Sequence, residues 1–249
     1  MLKEVQNRFL PLYISLVLII LTSNLALASS IKEDYATARH KFYSDKVAEE
    51  EIINDLTGLQ KNLSKKSDAE SYYWQAQIEF LLGALKQRLE QKTAAKHFKQ
   101  SQKLVQNSIA KEKTSYGYRL LGDTYGRLIE YNGVFYAIKN GNKIIDLLKK
   151  AVSLDPKNYS AYNSLGRAYF KAPNMVGGRL DKAIKNLKQA LESQKQVENF
   201  ISYYYLAQCY LEQGKTKETT NYLKEAANIY PNNRQVKLLS EKISKNKSN

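Results

Sequence analysis

Few side chains in this 249-residue sequence are of the types that carry catalytic or metal chemistry. It has two histidines, His40 and His97, and a single cysteine, Cys209. The histidines fall on different predicted helices, without cysteines or carboxylates at the spacing that a metal site needs. The sequence also lacks a glycine-rich phosphate loop, a G-x-S-x-G motif and an H-E-x-x-H motif. We therefore predict no metal, no cofactor and no enzymatic activity.

Cys209 and the acidic run Glu49–Glu51 have ordinary structural explanations. Cys209 precedes Tyr210 within a predicted helix, where we expect a buried, unreactive thiol. An intermolecular disulfide in an oxidising compartment is the alternative. Glu49–Glu51 is typical of a solvated helix face.

The net charge of +15 is weak evidence for an acidic partner. A basic protein attracts nucleic acid, anionic lipid or a polyanionic wall polymer. Of the 39 basic residues, however, 31 are lysine and 8 are arginine, and proteins that read nucleic acid favour arginine for bidentate contacts. We predict a solvated, lysine-rich surface and disfavour nucleic acid as a partner, while polyanion binding stays open.

Residues 1–28 have the organisation of a secretory signal peptide. Lys3 and Arg8 give a positive start, residues 9–21 are apolar, and Ala26-Leu27-Ala28 supplies small residues before a cleavage point. The apolar run is short, because a membrane span needs about 20 such residues; an uncleaved anchor is the alternative. We predict Sec-type export, cleavage after Ala28 and a periplasmic or extracellular location, with no transmembrane segment in the mature chain.

Beyond Ser29 the apolar residues follow a helical period, which predicts an all-α protein. Residues 31–62 also predict helix, with a less regular apolar face. Several residues are expected to cap helices, and two steps before proline are expected to end them. The predicted caps are Ser67 in the capping box Ser67–Glu70, Thr93, Thr114 or Ser115, and Thr216, and the predicted stops are Asp155-Pro156 and Tyr230-Pro231.

One spacing recurs along the second half of the chain: a tyrosine, a leucine paired with a small residue, and a second tyrosine, followed by leucine and alanine. The three copies are Tyr118, Leu121-Gly122, Tyr125, Leu148 and Ala151; Tyr162, Leu165-Gly166, Tyr169, Leu187 and Ala190; and Tyr203, Leu206-Ala207, Tyr210, Leu223 and Ala226. This pattern resembles the tetratricopeptide repeat (TPR), a helix pair of about 34 residues. A weaker copy contains Tyr73, Ala76, Phe80, Ala94, Phe98 and Ser101.

The resemblance implies an α-solenoid in which antiparallel helix pairs stack into a right-handed superhelix. Its segments are 1–28, signal peptide; 29–66, N-terminal helical segment; 67–114, degenerate TPR-like pair; 115–158, TPR with a long inter-helix insertion; 159–199, TPR with the insertion APNMVGG; 200–233, TPR; and 234–249, capping helix and tail. Leu121, Leu165 and Leu206 should then share one continuous core.

The two insertions carry separate expectations. Residues 131–142 contain the turn-like pairs Asn132-Gly133 and Asn140-Gly141 and can also lengthen the flanking helices. We expect Phe135 and Tyr136 to pack on the neighbouring repeat, with ligand contact as the alternative. Residues 172–178 should form a rigid crossover in which Pro173 ends a helix and two glycines adopt positive φ; a ligand-gripping loop is the alternative.

The resemblance also implies a binding surface, because the first helix of each TPR lines the concave face. Carried over by register, the candidate partner-binding residues are Tyr116, Arg119, Asp123, Asn163, Arg167, Phe170, Tyr204 and Gln208. This mixture of aromatic and polar groups suits a protein or peptide segment. The alternative is that Asp123 pairs with Arg119 or Arg167, so that the charged groups of the groove neutralise one another and bind no partner. Arg119 and Asp123 stand where the chaperone-binding TPR clamp has lysine and asparagine, so that specialised function is not predicted.

These features together predict an exported, non-catalytic TPR scaffold or adaptor. It would hold a protein or peptide partner of the cell envelope in its concave groove, and self-association is left open. The alternative is similarity to periplasmic TPR components of tripartite ATP-independent periplasmic (TRAP) solute transporters. In that case the solenoid would bind a small organic acid or the substrate-binding subunit.

Overall fold

The computed structural model describes residues 30–173 and 177–247, which form helices and no strand. The helices are α1 (30–44), α2 (Glu49–Leu63), α3 (Ala69–Leu89), α4 (Gln91–Lys111), α5 (Ser115–Leu154), α6 (Tyr159–Lys171), α7 (Leu180–Ala190), α8 (Gln196–Glu212), α9 (Thr216–Ile229) and α10 (Arg234–Lys247). Successive helices pair and the pairs stack, as the predicted all-α, TPR-like solenoid requires. The predicted signal peptide lies outside the described residues, so export stays a prediction.

The stacked pairs share a continuous apolar core. Leu121, Leu165 and Leu206 are all buried in a single cluster that runs from α3 to α8. This confirms the expectation that equivalent leucines of successive repeats line one interior.

Small residues let the two helices of a repeat approach closely. A Cβ atom added to Gly122 would lie 2.8 Å from Cγ of Leu148, and one added to Gly166 would lie 2.6 Å from Cγ of Leu187. Real Cβ atoms essentially never approach a neighbour this closely, because the two carbon atoms would overlap. The glycine and the leucine of the repeat pattern are therefore in direct contact across the two helices.

The helix ends agree only in part with the predicted caps and stops. Thr114 caps α5 by accepting a hydrogen bond from the backbone N–H of Gly117 at 3.1 Å. Helix α5 ends at Leu154 and α9 at Ile229, directly before the two Xaa-Pro steps. The remaining predicted caps are wrong.

At the start of α3 the cap is Asp68 rather than Ser67. Its carboxylate accepts from the Ser71 backbone N–H at 2.8 Å and from the Ser71 hydroxyl at 2.7 Å, a stronger pair of contacts than one hydroxyl can make. Thr93 lies inside the first turn of α4, and Thr216 is the first residue of α9. In both cases the helix begins earlier than the sequence suggested.

The first insertion is helical and bends at one glycine. Gly133 has φ 75° and ψ −171°, so α5 consists of two arms, residues 115–132 and 134–154. Asn140 and Gly141 are buried inside the second arm, so the turn predicted there is wrong. The Asn140 side chain instead donates to the backbone oxygen of Tyr136 at 2.9 Å.

The two aromatic residues of this insertion behave differently. Phe135 is 85% exposed, so its predicted packing on a neighbouring repeat is wrong. Tyr136 packs with its ring centroid 6.4 Å from that of Tyr125 and also contacts the cluster around Phe98. Adjacent helical residues point in directions about 100° apart, so only one of the two can face the core.

The second insertion depends on proline and glycine, as expected. Helix α6 ends at Lys171, and the backbone N–H of Gly178 donates to the oxygen of Pro173 at 3.0 Å. Gly177 has φ +91°, while a Cβ on Gly178 would lie 1.8 Å from the oxygen of Ala172. Positive φ explains only the first of the two glycines. Residues 174–176 lie outside the described part, so the role of this insertion stays a prediction.

The two ends of the solenoid are covered by helices that differ from the repeats. Ile31, Tyr35, Ala38 and Phe42 form a regular buried face of α1 against α2 and α3, contrary to the less regular face expected. At the other end, α10 packs Val236 and Leu239 on the last repeat, among other contacts. Among the described residues, no helix is both long and apolar enough to cross a bilayer.

Candidate functional site

Helix α1 and the turn after it meet the last repeat and the start of α10, which closes the inner face of the solenoid. We call their polar contacts the terminal clasp. They are Arg39 Nη1 to Glu198 Oε1 at 2.9 Å, His40 Nδ1 to the Tyr230 hydroxyl at 2.9 Å, Asn233 Nδ2 to the backbone oxygen of Tyr43 at 2.8 Å, and the Arg234 backbone N–H to Asp45 Oδ2 at 2.9 Å. Helix α1 therefore touches the last repeat as well as the first.

Aromatic packing reinforces the clasp. The ring of Tyr43 lies 5.5 Å from that of Phe200 and 6.4 Å from that of Tyr230, and the last two rings meet at 5.0 Å. Aromatic pairs at these separations stabilise the fold beyond what the buried apolar area alone contributes. The closure thus combines ion pairing with aromatic packing.

Glu198 is the charged centre of the clasp, although it is buried. Desolvation alone would raise the pKa of this carboxyl, but the positive charges of Arg39 and Arg119 lower it to about 2. The Arg39 guanidinium is desolvated as well, and Glu198 nevertheless raises its pKa. Both groups are charged at neutral pH, so the pair is a salt bridge between a buried carboxylate and a partly exposed guanidinium.

The predicted residues Arg119, Asp123 and Arg167 form one network. Asp123 accepts from Nη1 of Arg119 at 3.0 Å, from Nη2 of Arg167 at 2.9 Å and from the hydroxyl of Ser164 at 2.8 Å. This arrangement matches the alternative given above, in which the central charged groups of the groove pair with one another. Within the described chain, the buried Nε atoms of both arginines remain without a hydrogen-bond partner.

Asn163 is only 1% exposed, which places it out of reach of a partner. Its amide donates to the backbone oxygen of Glu198 at 3.1 Å and to the hydroxyl of Ser202 at 2.9 Å. The side chain joins α6 to α8. The expected contact of Asn163 with a partner is therefore corrected, because the side chain is buried between these two helices.

The other four predicted residues keep accessible surface and lie apart from the network. Tyr116 is 44% exposed, and Gln208 is half-buried. Phe170 makes an edge contact with Tyr205 at 5.9 Å, and Tyr204 stacks on Phe200 at 6.4 Å. Partner binding by these four residues stays a prediction.

Three cavities occupy the space around the network and the clasp. The Tyr–Trp pocket, about 460 Å³, is lined by the rings of Tyr35, Tyr73, Trp74 and Tyr116. The side chains in it are linked, because Tyr35 donates to Gln77 at 3.1 Å and Gln77 donates to Tyr73 at 2.5 Å. Basic and acidic groups both line this pocket.

The apolar pocket, about 370 Å³, lies between the two arms of α5 and α6. Its apolar lining includes Ile129, Ile144, Ile145, Leu148 and Ala168. Gly126 leaves it open on one side, since a Cβ at that position would meet nothing within 4 Å.

The cationic pocket, about 340 Å³, lies between α1, α3, α5, α6, α8 and α10. Its basic side chains are Arg88, Arg127, Arg167, Lys171 and Arg234. Its aromatic side chains are Phe42, Tyr43, Phe200, Tyr204 and Tyr205. Arg127, Arg167 and Lys171 also line the apolar pocket, so these two cavities meet at the three cations.

The single cysteine lies in unreactive surroundings, and one of the two histidines pairs with a carboxylate. Burial raises the pKa of the Cys209 thiol to about 12, which keeps it protonated at neutral pH. His97 Nδ1 lies 2.7 Å from Oε2 of Glu79. In the part of the chain that the structure describes, no group of three or more His, Cys, Asp or Glu side chains could hold a metal ion. The arrangement supports binding by shape, charge and aromatic area.

Reasoning from the sequence did not identify the contribution of α1 to this site. Tyr35, Arg39 and Tyr43 reach the inner face, where Glu198 accepts a hydrogen bond from Arg39. Register within the repeats could not place α1, because α1 precedes the recognisable repeats. The available signal was the helical spacing of Ile31, Tyr35, Ala38 and Phe42.

Comparison with known sequences finds the tetratricopeptide repeat. Two sequence profiles of this repeat match residues 177–243 and 147–195. No curated protein matches the chain.

Comparison with solved structures finds the same fold. TTC0263, a thermophilic TPR protein of Thermus thermophilus, has a TM-score of 0.60 at 17% identity, over 86% of this chain and 98% of that one. A chain of the Cut9–Hcn1 hetero-tetramer of the APC/C has a TM-score of 0.50 at 15% identity, over 88% of this chain and 47% of that one. At these identities the likeness establishes the architecture.

Proposed function

We propose that this protein is an exported, non-catalytic tetratricopeptide repeat scaffold that holds a protein or peptide partner of the cell envelope against its inner face. The observation that carries the proposal is the Tyr–Trp pocket, where four aromatic rings surround a cavity next to Arg119. Tyrosine, tryptophan and arginine are the residues that most often dominate the energy of protein interfaces. Tyr116, at 44% exposure, is the ring that a partner would meet first.

The closed inner face restricts how a partner binds. Because α1 contacts α8 and the turn after α1 contacts α10, a long peptide has no continuous open groove to follow. A short segment or a single protruding loop fits better, with an aromatic or apolar side chain among the rings. The cations Lys32 and Lys195 at the same pocket favour a segment that also carries a carboxylate.

The test is site-specific photocrosslinking in the native envelope. A photoreactive residue at position 116 should capture one identified partner, while the same residue at Thr220, on the exposed surface of α9, should not. Tyr116→Ala should then weaken binding of that purified partner by about tenfold or more. Unchanged affinity would contradict the role of the Tyr–Trp pocket. N-terminal sequencing of the exported protein, expected to begin at Ser29, tests the export.

The second candidate is a periplasmic TPR component of a TRAP-type transporter that binds a small organic acid or the substrate-binding subunit. The closed inner face favours it, because cavities of about 340 to 460 Å³ are in the size range of small-molecule sites. Capture of a substrate-binding subunit by crosslinking, or direct binding of organic acids to the purified protein, would support this candidate over the scaffold.

A further inference from the structure

The cationic pocket differs in charge from the other two cavities. Its lining contains five basic side chains and, among the described residues, no carboxylate. Carboxylates take part in lining both the apolar pocket and the Tyr–Trp pocket. This contrast indicates a cavity that attracts an anion.

Two of the five cations are neutralised from outside the pocket. Arg88 pairs with Asp45 at 2.9 Å, and Arg234 pairs with Glu49 at 2.7 Å. These pairs hold the α1–α2 connection against α3 and α10. The remaining positive charge lies on the opposite wall.

On that wall the cations outnumber their counterions. Arg127 and Lys171 share Glu130, at 3.5 and 3.9 Å. Arg167 shares Asp123 with Arg119. Two carboxylates therefore face four basic side chains, and the buried Nε of Arg167 has no hydrogen-bond partner in the described chain.

Tyr205 lies in the field of these cations. Desolvation would raise the pKa of its hydroxyl, but Lys171, Arg167 and Arg127 together bring the pKa below its usual value of 10.0. A phenol that becomes a better acid in spite of burial lies in a positive potential. The three cations thus act at one point, beside the ring of Tyr205.

The walls of the pocket suit the body of a small molecule. Tyr204 and Tyr205 meet edge to face with their ring centroids 5.4 Å apart, and Phe200 stacks on Tyr204. The volume of about 340 Å³ is at the lower end of the range for ligand sites. The terminal clasp bounds the pocket, which leaves room for a compact ligand rather than an extended chain.

We propose that the cationic pocket binds a small organic oxyanion, whose carboxylate or phosphate lies against Arg127, Arg167 and Lys171 and whose aromatic or apolar body lies against Tyr204 and Tyr205. The proposal rests on the second candidate function, that of a small-molecule binder, and assigns it a site. Arginine is suited to this role because its planar group holds oxyanions through paired hydrogen bonds.

Calorimetric titration of the mature protein tests the charge requirement. The probes are phenylacetate, phenyl phosphate and phenylacetamide, the last being the uncharged counterpart of the first. We expect both anions to bind and the amide not to bind. Binding of the amide as tight as that of phenylacetate would overturn the proposal.

A pair of matched variants tests the site. Arg127→Gln combined with Lys171→Gln should weaken binding of the anions by about tenfold or more, because hydrogen bonds to charged groups are lost. Glu130, their shared counterion, is about one-third exposed, so the change does not leave a buried unpaired charge. The control, Lys149→Gln combined with Lys150→Gln, removes the same charge from an exposed face of α5 and should bind like the wild type.

The outcomes separate the site from the function. Equal affinities of the Arg127/Lys171 variant and the wild type would overturn the site and leave small-molecule binding in place. A failure of the wild type to bind either anion at millimolar concentration would overturn the site and count against the second candidate function as well.

Trp74 provides a readout in the unmodified protein. It is the single tryptophan of the chain and lines the Tyr–Trp pocket, away from the cationic pocket. Ligand in the cationic pocket should leave its fluorescence nearly unchanged and should shift the NMR signal of ¹³C-labelled Tyr205. Strong quenching of Trp74 without a shift of Tyr205 would place the ligand in the other pocket and overturn the proposal.

Discussion

The repeat core and the terminal clasp hold helices together by different means. In the core, Leu148 packs against Gly122 and Leu187 packs against Gly166. Complementary shape and buried apolar area therefore stabilise each helix pair. In the clasp, buried charge and hydrogen bonds connect Arg39 to Glu198 and Asn233 to the backbone of Tyr43. The first kind of contact repeats along the chain, and the second occurs where its ends meet.

The two regions also differ in how far apart their partners lie in the sequence. Arg39 and Glu198 are 159 residues apart, and His40 and Tyr230 are 190 apart. Such contacts form only when the intervening repeats are already in place, since ordering a long loop costs entropy. We therefore expect the clasp to open while the repeats stay folded, as regions of low local stability do.

The largest effect is expected in the core. Leu206→Ala should lower the free energy of unfolding by about 2 to 5 kcal/mol, because it removes a fully buried side chain and leaves a cavity. Urea denaturation measures this change. Leu238→Ala, at a position that is 63% exposed, is the control and should change the same quantity by less than about 0.5 kcal/mol. Equal effects of the two substitutions would contradict the assignment of the core.

A smaller effect is expected in the clasp. Glu198→Gln removes the counterion of Arg39 and should cost about 1.5 to 3 kcal/mol. Hydrogen exchange should become faster in α1 and stay unchanged in α6 and α7. Glu241→Gln, on the exposed face of α10, is the control. Faster exchange in all helices would mean that the clasp and the repeats unfold as one unit, and the distinction between the regions would fail.

The contribution of Glu198 should depend on pH. Its pKa is about 2 in the folded protein and 4.5 for an unperturbed glutamate. A lowered pKa means that the stabilisation is fully present above pH 4.5 and is lost as the pH falls toward 2. The difference in unfolding free energy between wild type and Glu198→Gln should therefore shrink across this window. A difference that stays constant from about pH 6 to about pH 2.5 would contradict the charged pair.

The smallest change concerns Cys209, which is fully buried in the repeat core. Because burial keeps its thiol protonated, iodoacetamide should label the native protein very slowly and the urea-unfolded protein quickly. Arg39→Met should open the clasp and leave this labelling rate unchanged. A labelling rate that rose with clasp opening would show that the two regions are coupled.

The repeat core was predictable because each of its contacts is local. Leu121, Leu165 and Leu206 recur with the small residue that follows them, so one spacing determines both the helix pair and its packing. Asp68 shows the limit of such reasoning, since two neighbouring side chains could each cap the start of α3 and the one that does so lies one residue after the prediction. Phe135 shows another limit, because the bend at Gly133 decides which side chain faces the core.

The inner face was predictable only in part. Register placed Arg119, Asp123 and Arg167 on neighbouring helices, where they pair. It could not show that α1 would reach Glu198, because that contact depends on the curvature accumulated over several helix pairs. Asn163 changed from an expected contact residue to a buried link between α6 and α8, because its amide finds hydrogen-bond partners on the next repeat.

A solenoid whose ends are free can gain or lose a unit and remain a solenoid, whereas one whose ends meet has a set length. Inserting another helix pair between α5 and α8 would carry Glu198, Tyr230 and Asn233 away from the residues of α1 that receive them. The contacts of the terminal clasp thus fix the number of helix pairs in this protein. Duplication or deletion of a repeat would require a new set of contacts between the two ends.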